Sequence, residues 1–241
     1  MLEAIALSKT YTGHRAALDS LSLRVPAGNL FCLVGGNGAG KTTAISCFLD
    51  FIVPSSGRAE INGIHVASRP LEAKRRVAYV PENVALYGAL SARQNLAFFA
   101  RLGGDGRAVS RKESEDVVRQ VGLPVGALDQ RVENFSKGMR QKLGLAIALL
   151  RRAENLILDE PTSGLDPQSG ADFMSLLVSL RNAGAAILMS THDLFRAKIH
   201  ADRVGIMREG RLHATLQREE IAAQDIEALY REVMRGAAVT P

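Results

Sequence analysis

The sequence predicts an α/β fold: a mainly parallel sheet with a small antiparallel sheet and an inserted helical part. Apolar runs that read as buried strands alternate with segments of helical pattern along the 241 residues, as is typical of a parallel core. The dipeptide Asn62-Gly63 is a strong signal for a tight hairpin and therefore for antiparallel pairing. Between residues 82 and 150 the pattern is almost wholly helical.

The antiparallel sheet is predicted from strand patterns on both sides of the glycine-rich segment that follows Val34. The N-terminal segment alternates apolar and polar residues as a half-buried strand does. Two further runs are short and bounded by turn residues, and the second leads directly into the Asn62-Gly63 turn. The predicted strands are Met1–Thr10, Leu21–Val25, Arg58–Ile61 and Ile64–Val66.

The parallel sheet is predicted from short apolar runs, most of them separated by helices. Its expected strands are Leu30–Val34, Val77–Val80, Leu156–Leu158 and Ala185–Met189, completed by Val204–Met207 and Leu212–Leu216. One helix should run from Lys41 to about Phe51. Another is entered through Asp166-Pro167, an aspartate cap followed by proline at the first helical position.

The chain is expected to form one domain over residues 1–241. Residues 82–150 would form a helical sub-domain, with breaks at 103–106 and 122–124, and residues 217–241 an amphipathic helix and a tail. Hydrophobic content of 46% and charged content of 23% are ordinary for a globular protein. The net charge of +5 is dispersed, which argues against a nucleic-acid-binding arm. A weak affinity for anionic surfaces is the alternative to a simply solvated surface.

Cysteine usage and hydrophobicity predict a cytoplasmic location. Cys32 and Cys47 fall at positions expected to be buried, so they are interpreted as core thiols in a reducing compartment, with a disulfide between them as the alternative. The N-terminal segment lacks the apolar core of a signal peptide. The longest apolar stretch, Leu143–Leu150, is too short to cross a bilayer.

A phosphate-binding loop is the most informative motif. The pattern Gly-x4-Gly-Lys-Ser/Thr is matched by Gly35, Gly36, Asn37, Gly38, Ala39, Gly40, Lys41 and Thr42, with Thr43 following. Glycines let successive backbone N–H groups point at a polyphosphate, and the positive end of the next helix faces the same phosphates. Lys41 would reach the β- and γ-phosphates, and the Thr42 hydroxyl would ligate Mg²⁺. The alternative is a glycine-rich turn that binds no nucleotide.

A second chemical element is the acidic pair that ends the apolar run at residue 158. Asp159 would hold Mg²⁺ through water, and Glu160 would polarise the water that attacks the γ-phosphate. A strand that ends in acids is common, so the pair alone is weak support. Together with the phosphate loop it predicts phosphoryl transfer.

A third element is a serine and a glycine at the start of a helix. Ser136 is a plausible helix cap, and Gly138 leaves room for a ligand to approach the backbone closely. Such a helix N-terminus forms a second anion site, separate from the phosphate loop. One chain then carries two half-sites for a triphosphate, which predicts a partner placed head to tail.

With these three motifs in order, the sequence resembles the ATP-binding-cassette (ABC) ATPases, P-loop NTPases, over essentially its full length. The resemblance implies that ATP is sandwiched between the phosphate loop of one subunit and the Ser136–Gly138 motif of a second copy. It implies that Ser163–Asp166 contacts the opposing subunit, that His192 reaches the γ-phosphate, and that Tyr11 stacks on adenine. Taken singly, His192 would be an ordinary histidine at a strand end and Tyr11 a packing residue.

Three residues depart from the family's commonest pattern. Glu82 stands where the family usually has glutamine; it could still ligate Mg²⁺, but it adds a negative charge beside the acidic pair. Lys137 replaces a glycine and could either place a cation near the partner's phosphates or point to solvent. Asn155 replaces an apolar residue at the foot of the acidic strand and is interpreted as a structural variation.

The segment 81–87 and the motif Ser-Lys-Gly-Met-Arg-Gln resemble the ATPase subunits of bacterial ABC-2-type exporters, and more weakly those of nitrous oxide reductase copper-site assembly systems. The resemblance implies a homodimer under a membrane-spanning permease, at the inner face of the cell membrane. Candidate permease contacts are Leu86, Tyr87, Leu90 and Phe98, although Leu96 and Phe98 could equally pack within the helical sub-domain.

The rival hypothesis is an ABC-type ATPase that drives a soluble regulatory or nucleic-acid-associated machine. Relatives that act on ribosomes or chromosomes usually carry two cassettes or a long coiled-coil insertion, and the sequence shows neither. A regulatory ATPase that signals to a soluble partner is a separate alternative. The dispersed charge also argues against a nucleic-acid partner, and none is expected. The transported substrate cannot be predicted from this chain.

Overall fold

The computed structural model describes residues 1–13, 15–103 and 108–236. Of the predicted break at 103–106, Gly103 ends a helix, and residues 104–106 lie outside the described residues, as does the tail after Gly236. Ten strands are present in this part of the chain: β1 Leu2–Thr10, β2 Ala16–Val25, β3 Leu30–Val34, β4 Ser56–Ile61, β5 Ile64–His65, β6 Val77–Val80, β7 Asn155–Asp159, β8 Ala186–Thr191, β9 Arg203–Arg208 and β10 Arg211–Gln217.

The helices of the described residues surround two sheets. They are α1 Lys41–Phe48, α2 Pro70–Arg75, α3 Ala92–Gly103, α4 Arg111–Gln120, α5 Lys137–Leu150, α6 Pro167–Asn182, α7 Leu194–His200, α8 Arg218–Ala223 and α9 Ile226–Arg235, with 3₁₀ turns at Val125–Asp129 and Val132–Asn134. No helix among the described residues is both long enough and apolar enough to cross a membrane.

A six-stranded sheet brings the predicted motifs to one edge. Its order is β10-β9-β3-β8-β7-β6, with only β10 antiparallel to its neighbour. In the parallel register Val34 pairs with Thr191, and Asp159 pairs with Ser190. Because parallel strands end at the same edge, the segments after β3, β7 and β8 emerge side by side.

Strand β3 lies between two hydrophobic cores, and all five of its residues are buried. Phe31 and Leu33 face a core formed mainly with α1 and the antiparallel sheet, whose order is β2-β1-β4-β5. Leu30, Cys32 and Val34 face the larger core, which includes the helical part. A strand that is buried on both faces reads as a continuous apolar run, and this is why the sequence identified it.

Both cysteines are free, buried thiols. Burial raises the pKa of the Cys47 thiol to about 11, and it raises the pKa of Cys32, which is buried more deeply, further still. The interpretation of these residues as core thiols is confirmed, and the disulfide alternative is wrong.

Several predicted boundaries are wrong for local reasons. Strand β2 begins at Ala16 because its first half pairs with the end of β1. Helix α1 ends at Phe48, and Asp50 then adopts a left-handed backbone with φ 56°. The C-terminal segment is two helices, because Gln224 is extended and the Asp225 side chain caps α9.

Residues 81–91 form an irregular segment, although a helical pattern was predicted from Glu82 onward. The side chain of Asn95, fully buried on α3, accepts a hydrogen bond from the Tyr87 N–H at 2.9 Å and donates one to the Tyr87 carbonyl at 3.0 Å. Its amide also donates to the Ser91 carbonyl at 3.0 Å. These bonds satisfy backbone groups that a helix would otherwise have to pair.

Candidate functional site

The phosphate loop joins β3 to α1 and bends through Gly40. This residue has φ 103°, and a Cβ built on it would lie only 2.5 Å from the Ala17 carbonyl oxygen. Any other residue would therefore be strained and would clash with backbone. Helix α1 begins at Lys41, so its N-terminal N–H groups face the cleft that the loop borders.

Lys41 is a buried cation held by the loop itself. Its Nζ donates to the Gly35 carbonyl at 2.6 Å and to the Gly36 carbonyl at 3.3 Å. It also lies 3.6 Å from Glu160 Oε1, and the residue is only 8% exposed. A phosphate that reached Lys41 would replace these contacts with a stronger charge-assisted bond.

Asp159 is fixed on both sides at the end of β7. Its Oδ2 accepts a hydrogen bond from the Thr42 hydroxyl at 3.1 Å, and its Oδ1 accepts one from the Ser190 hydroxyl. Thr42 and Asp159 therefore meet, as the motif predicted. Burial, with a smaller contribution from the Asp159 charge, raises the pKa of nearby Tyr79 to about 12.

Ser190 is a positioning residue to which the sequence reasoning gave no role of its own. It is fully buried at the end of β8, and its Oγ also accepts a hydrogen bond from the Glu160 N–H at 3.0 Å. One hydroxyl thus orients both members of the acidic pair. The only sequence signal is a hydroxyl directly after the apolar run Ala186–Met189, and its partner follows from the register that places Ser190 beside Asp159.

Glu160, which lines the cleft, is hydrogen-bonded to His192. Glu160 has a left-handed backbone, φ 47°, which is uncommon for a residue with a side chain. His192 Nδ1 lies 2.8 Å from Glu160 Oε2, and the His192 N–H donates to the same oxygen at 3.2 Å. The imidazole is 65% exposed, so little packing holds it apart from these bonds.

The structure has a cleft of about 380 Å³, and the residues that line it within the described part of the chain are Ala17, Gly36–Thr43, Glu82, Asp159 and Glu160. His192 is not among them and reaches this region through its hydrogen bond to Glu160. Tyr11 is not among these lining residues; its ring is 41% exposed, with Lys9 Nζ 5.3 Å from the ring centre. Stacking on adenine stays a prediction for Tyr11.

The oxygen donors of the cleft suit a magnesium ion that is shared with a substrate. Within the described residues, no group of three or more His, Cys, Asp or Glu side chains could hold a metal alone. Thr42, Asp159 and Glu82 nevertheless offer one hydroxyl and two carboxylates around one cleft. Mg²⁺ prefers such hard donors and usually keeps water and substrate phosphates in its coordination shell, so this donor set fits it.

The second predicted anion site is formed by residues other than those that line the cleft. The Ser136 Oγ caps α5 by accepting from the Met139 N–H at 3.2 Å. A Cβ built on Gly138 would lie 3.7 Å from Leu165 Cδ2, so this helix start adjoins the 163–166 loop. Neither Ser136 nor Gly138 is among the residues that line the cleft. The two predicted half-sites therefore use different residues, although Lys137, between Ser136 and Gly138, reaches Glu82 at the cleft.

Glu82 and Lys137, the two residues of the cleft region that differ from the family's usual glutamine and glycine, face each other. Lys137 Nζ lies 3.9 Å from Glu82 Oε1, and the side chains are 35% and 46% exposed. One turn further along α5, the buried Gln141 donates to the Glu82 carbonyl at 2.6 Å. Helix α5 thus contacts both the side chain and the backbone of Glu82, and Lys137 is directed within the chain.

Asn155 has a structural role, as predicted. It is fully buried, and its amide donates to the Arg76 carbonyl at 2.9 Å and to Asn62 Oδ1 at 3.3 Å. A buried amide with partners of this kind joins the foot of β7 to the hairpin of the antiparallel sheet.

Some of the residues proposed from the sequence as permease contacts are buried in the helical part, and others are exposed. Leu96 is fully buried, so the packing alternative is correct for it, and Leu86 and Leu90 are half-buried. Tyr87 is 50% exposed, but its ring packs against Phe98 at 4.8 Å between centroids. A groove of about 480 Å³ lies between α2, α3 and α5. Its lining residues are Leu71, Lys74, Arg75, Phe99, Leu102, Ile147 and Arg151.

Comparison with known proteins agrees with this geometry. The model of the ABC transporter family matches residues 18–163. The lantibiotic transport ATP-binding protein SrtF of Streptococcus pyogenes is 33% identical over 231 residues, which cover 95% of this chain and 96% of SrtF. The linearmycin resistance ATP-binding protein LnrL of Bacillus subtilis is 33% identical over 214 residues, or 89% of this chain and 68% of LnrL.

A solved ATP-binding subunit of an ABC transporter has the same fold. It superimposes with a TM-score of 0.83 and 31% identity, over 97% of this chain and 99% of that subunit. The family match covers more than half of the chain, and it includes the phosphate loop and the acidic pair. The chain therefore belongs to the ABC transporter family, as an ATP-binding and ATP-hydrolysing subunit.

Proposed function

We propose that this chain powers an ABC-2-type exporter, hydrolysing Mg-ATP as a head-to-tail homodimer beneath a separate permease, at the inner face of the membrane. The observation that carries the proposal is that the two predicted anion sites are formed by different residues of one chain. The cleft at Lys41 and the helix start at Ser136 are both equipped for phosphate, yet they share no lining residue. The names of the relatives SrtF and LnrL support a role in transport or drug resistance.

In the proposed reaction the phosphate loop and Lys41 bind the β- and γ-phosphates, and Tyr11 stacks on adenine. Glu160 accepts a proton from the attacking water, because its carboxylate lines the cleft and its backbone is held by Ser190. His192, which is hydrogen-bonded to Glu160, contacts the γ-phosphate through its exposed ring. Before ATP binds, Lys41 and Glu160 partly neutralise each other at 3.6 Å.

Thr42, Asp159 and Glu82 would hold the magnesium ion. When bound, Mg²⁺ supplies positive charge that neutralises the phosphate oxygens. Ser190 contributes by fixing one oxygen of Asp159, which leaves the other directed toward Thr42. Glu82 can approach the ion only if it leaves its 3.9 Å contact with Lys137 or shares its two oxygens between them.

The second subunit completes each site in this proposal. Ser136 and Gly138 of one copy would bind the γ-phosphate held by the other, and the 163–166 loop beside them would contact the opposing subunit. ATP then joins the two surfaces, and hydrolysis separates them. This cycle of closing and opening moves the helical part, residues 82–150, and with it the permease.

We place the permease contact at the groove between α2, α3 and α5. Leu71 and Leu102 are 76% and 68% exposed at its edges, which is unusual for large apolar side chains. Arg75 adds positive charge beside them, whereas Lys74 is paired with Asp50 at 3.0 Å. A cytoplasmic helix of the permease with apolar and acidic side chains would complement this surface.

The test is affinity purification of the tagged chain from detergent-solubilised native membranes, followed by mass spectrometry. We expect a polytopic membrane protein in the eluate, and its loss from the Leu71→Ser/Leu102→Ser variant. Phe195→Ser is the matched control, because Phe195 is a similarly exposed apolar residue, 69%, on α7. A soluble or ribosomal partner without a membrane protein would overturn the transport proposal and leave the ATP site intact.

A further inference from the structure

The side chain of Arg196 lies directly against the backbone of α6 at Gly170. A Cβ built on Gly170 would be 2.4 Å from Arg196 Nη2 and 2.7 Å from its Cζ. Glycine weakens a helix compared with alanine, and Gly170 is buried within the first turns of α6. The close approach of the guanidinium explains why this helix nevertheless carries a glycine there.

The guanidinium of Arg196 also forms an ion pair with Asp193. Arg196 Nη1 donates to Asp193 Oδ2 at 2.6 Å, while Asp193 Oδ1 accepts from the Arg196 N–H at 2.9 Å as the cap of α7. The side chains are only 18% and 26% exposed. The Asp193 N–H is itself bonded to the Thr191 hydroxyl at 3.0 Å. The pair therefore fixes the backbone on the C-terminal side of residue 192.

His192 depends on this backbone for its position. Its imidazole is 65% exposed, and the contacts described for its side chain and its N–H both go to Glu160. An exposed ring with few packing contacts is placed mainly by the main chain that carries it. Helix α6 begins at Pro167, immediately after the 163–166 loop that is expected to meet the partner subunit. Arg196 therefore connects this helix to the segment that carries His192.

We propose that Arg196, seated over Gly170 and paired with Asp193, is a positioning residue that holds His192 in its catalytic position. The inference rests on the proposed role of His192 at the γ-phosphate. It assigns Arg196 an indirect effect: the guanidinium anchors α7 to α6, and the anchored α7 sets the direction of the imidazole.

The test compares steady-state ATP hydrolysis by the full chain and two variants. In Gly170→Ala the methyl group displaces the guanidinium, and in Arg196→Ala the anchor is absent. We expect kcat to fall about tenfold in each, which is typical for loss of a supporting contact, while KM for ATP stays unchanged. Gly126→Ala is the matched control, because this glycine is in a 3₁₀ turn with nothing within 4 Å of the added methyl group; its kcat should equal that of the parent.

Two further measurements separate positioning from general damage. Binding of a fluorescent ATP analogue should keep its affinity and its stoichiometry in both variants, whereas a misfolded fraction would lower the stoichiometry. In a His192→Ala background, Arg196→Ala should reduce kcat no further, because its effect passes through the missing imidazole.

The inference is overturned if Arg196→Ala alone leaves kcat unchanged, if the loss matches a fall in binding stoichiometry, or if the two substitutions reduce kcat independently. Failure of the proposed function looks different. In that case His192→Ala itself leaves kcat at the parental value, and the positioning role falls with it.

Discussion

At the scale of single residues, the cleft is organised by one cation and two carboxylates that fix one another. Lys41 is bonded to loop carbonyls and lies beside Glu160, while Asp159 is held by Thr42 and Ser190. The two carboxylates therefore differ in environment: Asp159 accepts two hydroxyl bonds, whereas Glu160 faces the cleft and His192. This difference supports a metal role for Asp159 and a base role for Glu160.

The first prediction concerns Glu160→Gln. The amide keeps the size of the side chain but cannot accept a proton, so turnover should fall by about 100-fold to 10,000-fold while ATP still binds. ATP hydrolysis and binding of a fluorescent ATP analogue would be measured side by side. Glu219→Gln, an exposed glutamate on α8, is the control and should hydrolyse normally. Parental turnover in Glu160→Gln would show that another group is the base.

The second prediction concerns Glu82→Gln, which restores the family's usual residue. If Glu82 contacts the metal, loss of its charge should raise the Mg²⁺ concentration for half-maximal hydrolysis several-fold. The free energy of unfolding should change by less than about 1 kcal/mol, because the pair with Lys137 is partly exposed. Magnesium titration of the ATPase checks the first point and urea unfolding the second.

A matched control for Glu82 is Glu133→Gln, whose carboxylate forms a similar exposed pair with Arg131. It should leave the magnesium titration unchanged. If the curves of Glu82→Gln and its parent coincide, Glu82 is a partner of Lys137 only and has no contact with the metal.

At the scale of elements, helix starts serve two purposes in this chain. Ser136 caps α5 and Ser110 caps α4 through the same side-chain-to-backbone bond. Each should contribute about 1 kcal/mol to the free energy of unfolding, as serine caps do in general. Only the start of α5 adjoins the 163–166 loop and is proposed to bind phosphate.

The third prediction therefore compares Ser136→Ala with Ser110→Ala. Both should lower the free energy of unfolding by about 1 kcal/mol, since each loses one cap. Only Ser136→Ala should also reduce ATP hydrolysis. Urea unfolding measures the loss of stability in the two variants, and ATPase assays measure the loss of activity. An equal loss of activity in both would assign Ser136 a purely structural role.

The elements that the sequence predicted best are those whose pattern is local. Strand β3 is a continuous apolar run before a glycine-rich loop, and Asp166-Pro167 marks the start of α6. The irregular segment 81–91 could not be predicted, because it depends on the Asn95 amide that reaches back from α3. The role of Ser190 likewise arises from the register of β8 beside β7, which no local pattern contains.

At the scale of the whole molecule, the two surfaces proposed to bind phosphate are built from different parts of the chain. The cleft lies at the edge of the parallel sheet, whereas Ser136 and Gly138 stand at the start of α5 beside the 163–166 loop. Two copies related by a twofold axis would satisfy both surfaces at once. The proposed reaction therefore requires the homodimer.

The fourth prediction tests that requirement by mixing two inactive variants. Lys41→Ala removes the phosphate-loop cation, and Gly138→Asp places a negative charge at the second surface. The new side chain should fit, since a Cβ there makes only ordinary contacts of 3.6–3.7 Å. Each variant alone has two damaged sites per dimer. In a mixed dimer, however, one site combines the intact loop of one copy with the intact helix start of the other.

An equal mixture should therefore regain roughly a quarter of the parental ATPase activity, since about half of the dimers are mixed and each has one intact site. The control mixes the parent with a chain that carries both substitutions, whose mixed dimers contain no intact site. If the two inactive variants stay inactive together, while that control loses no more activity than simple dilution explains, each chain completes its own site. The head-to-tail arrangement would then be wrong.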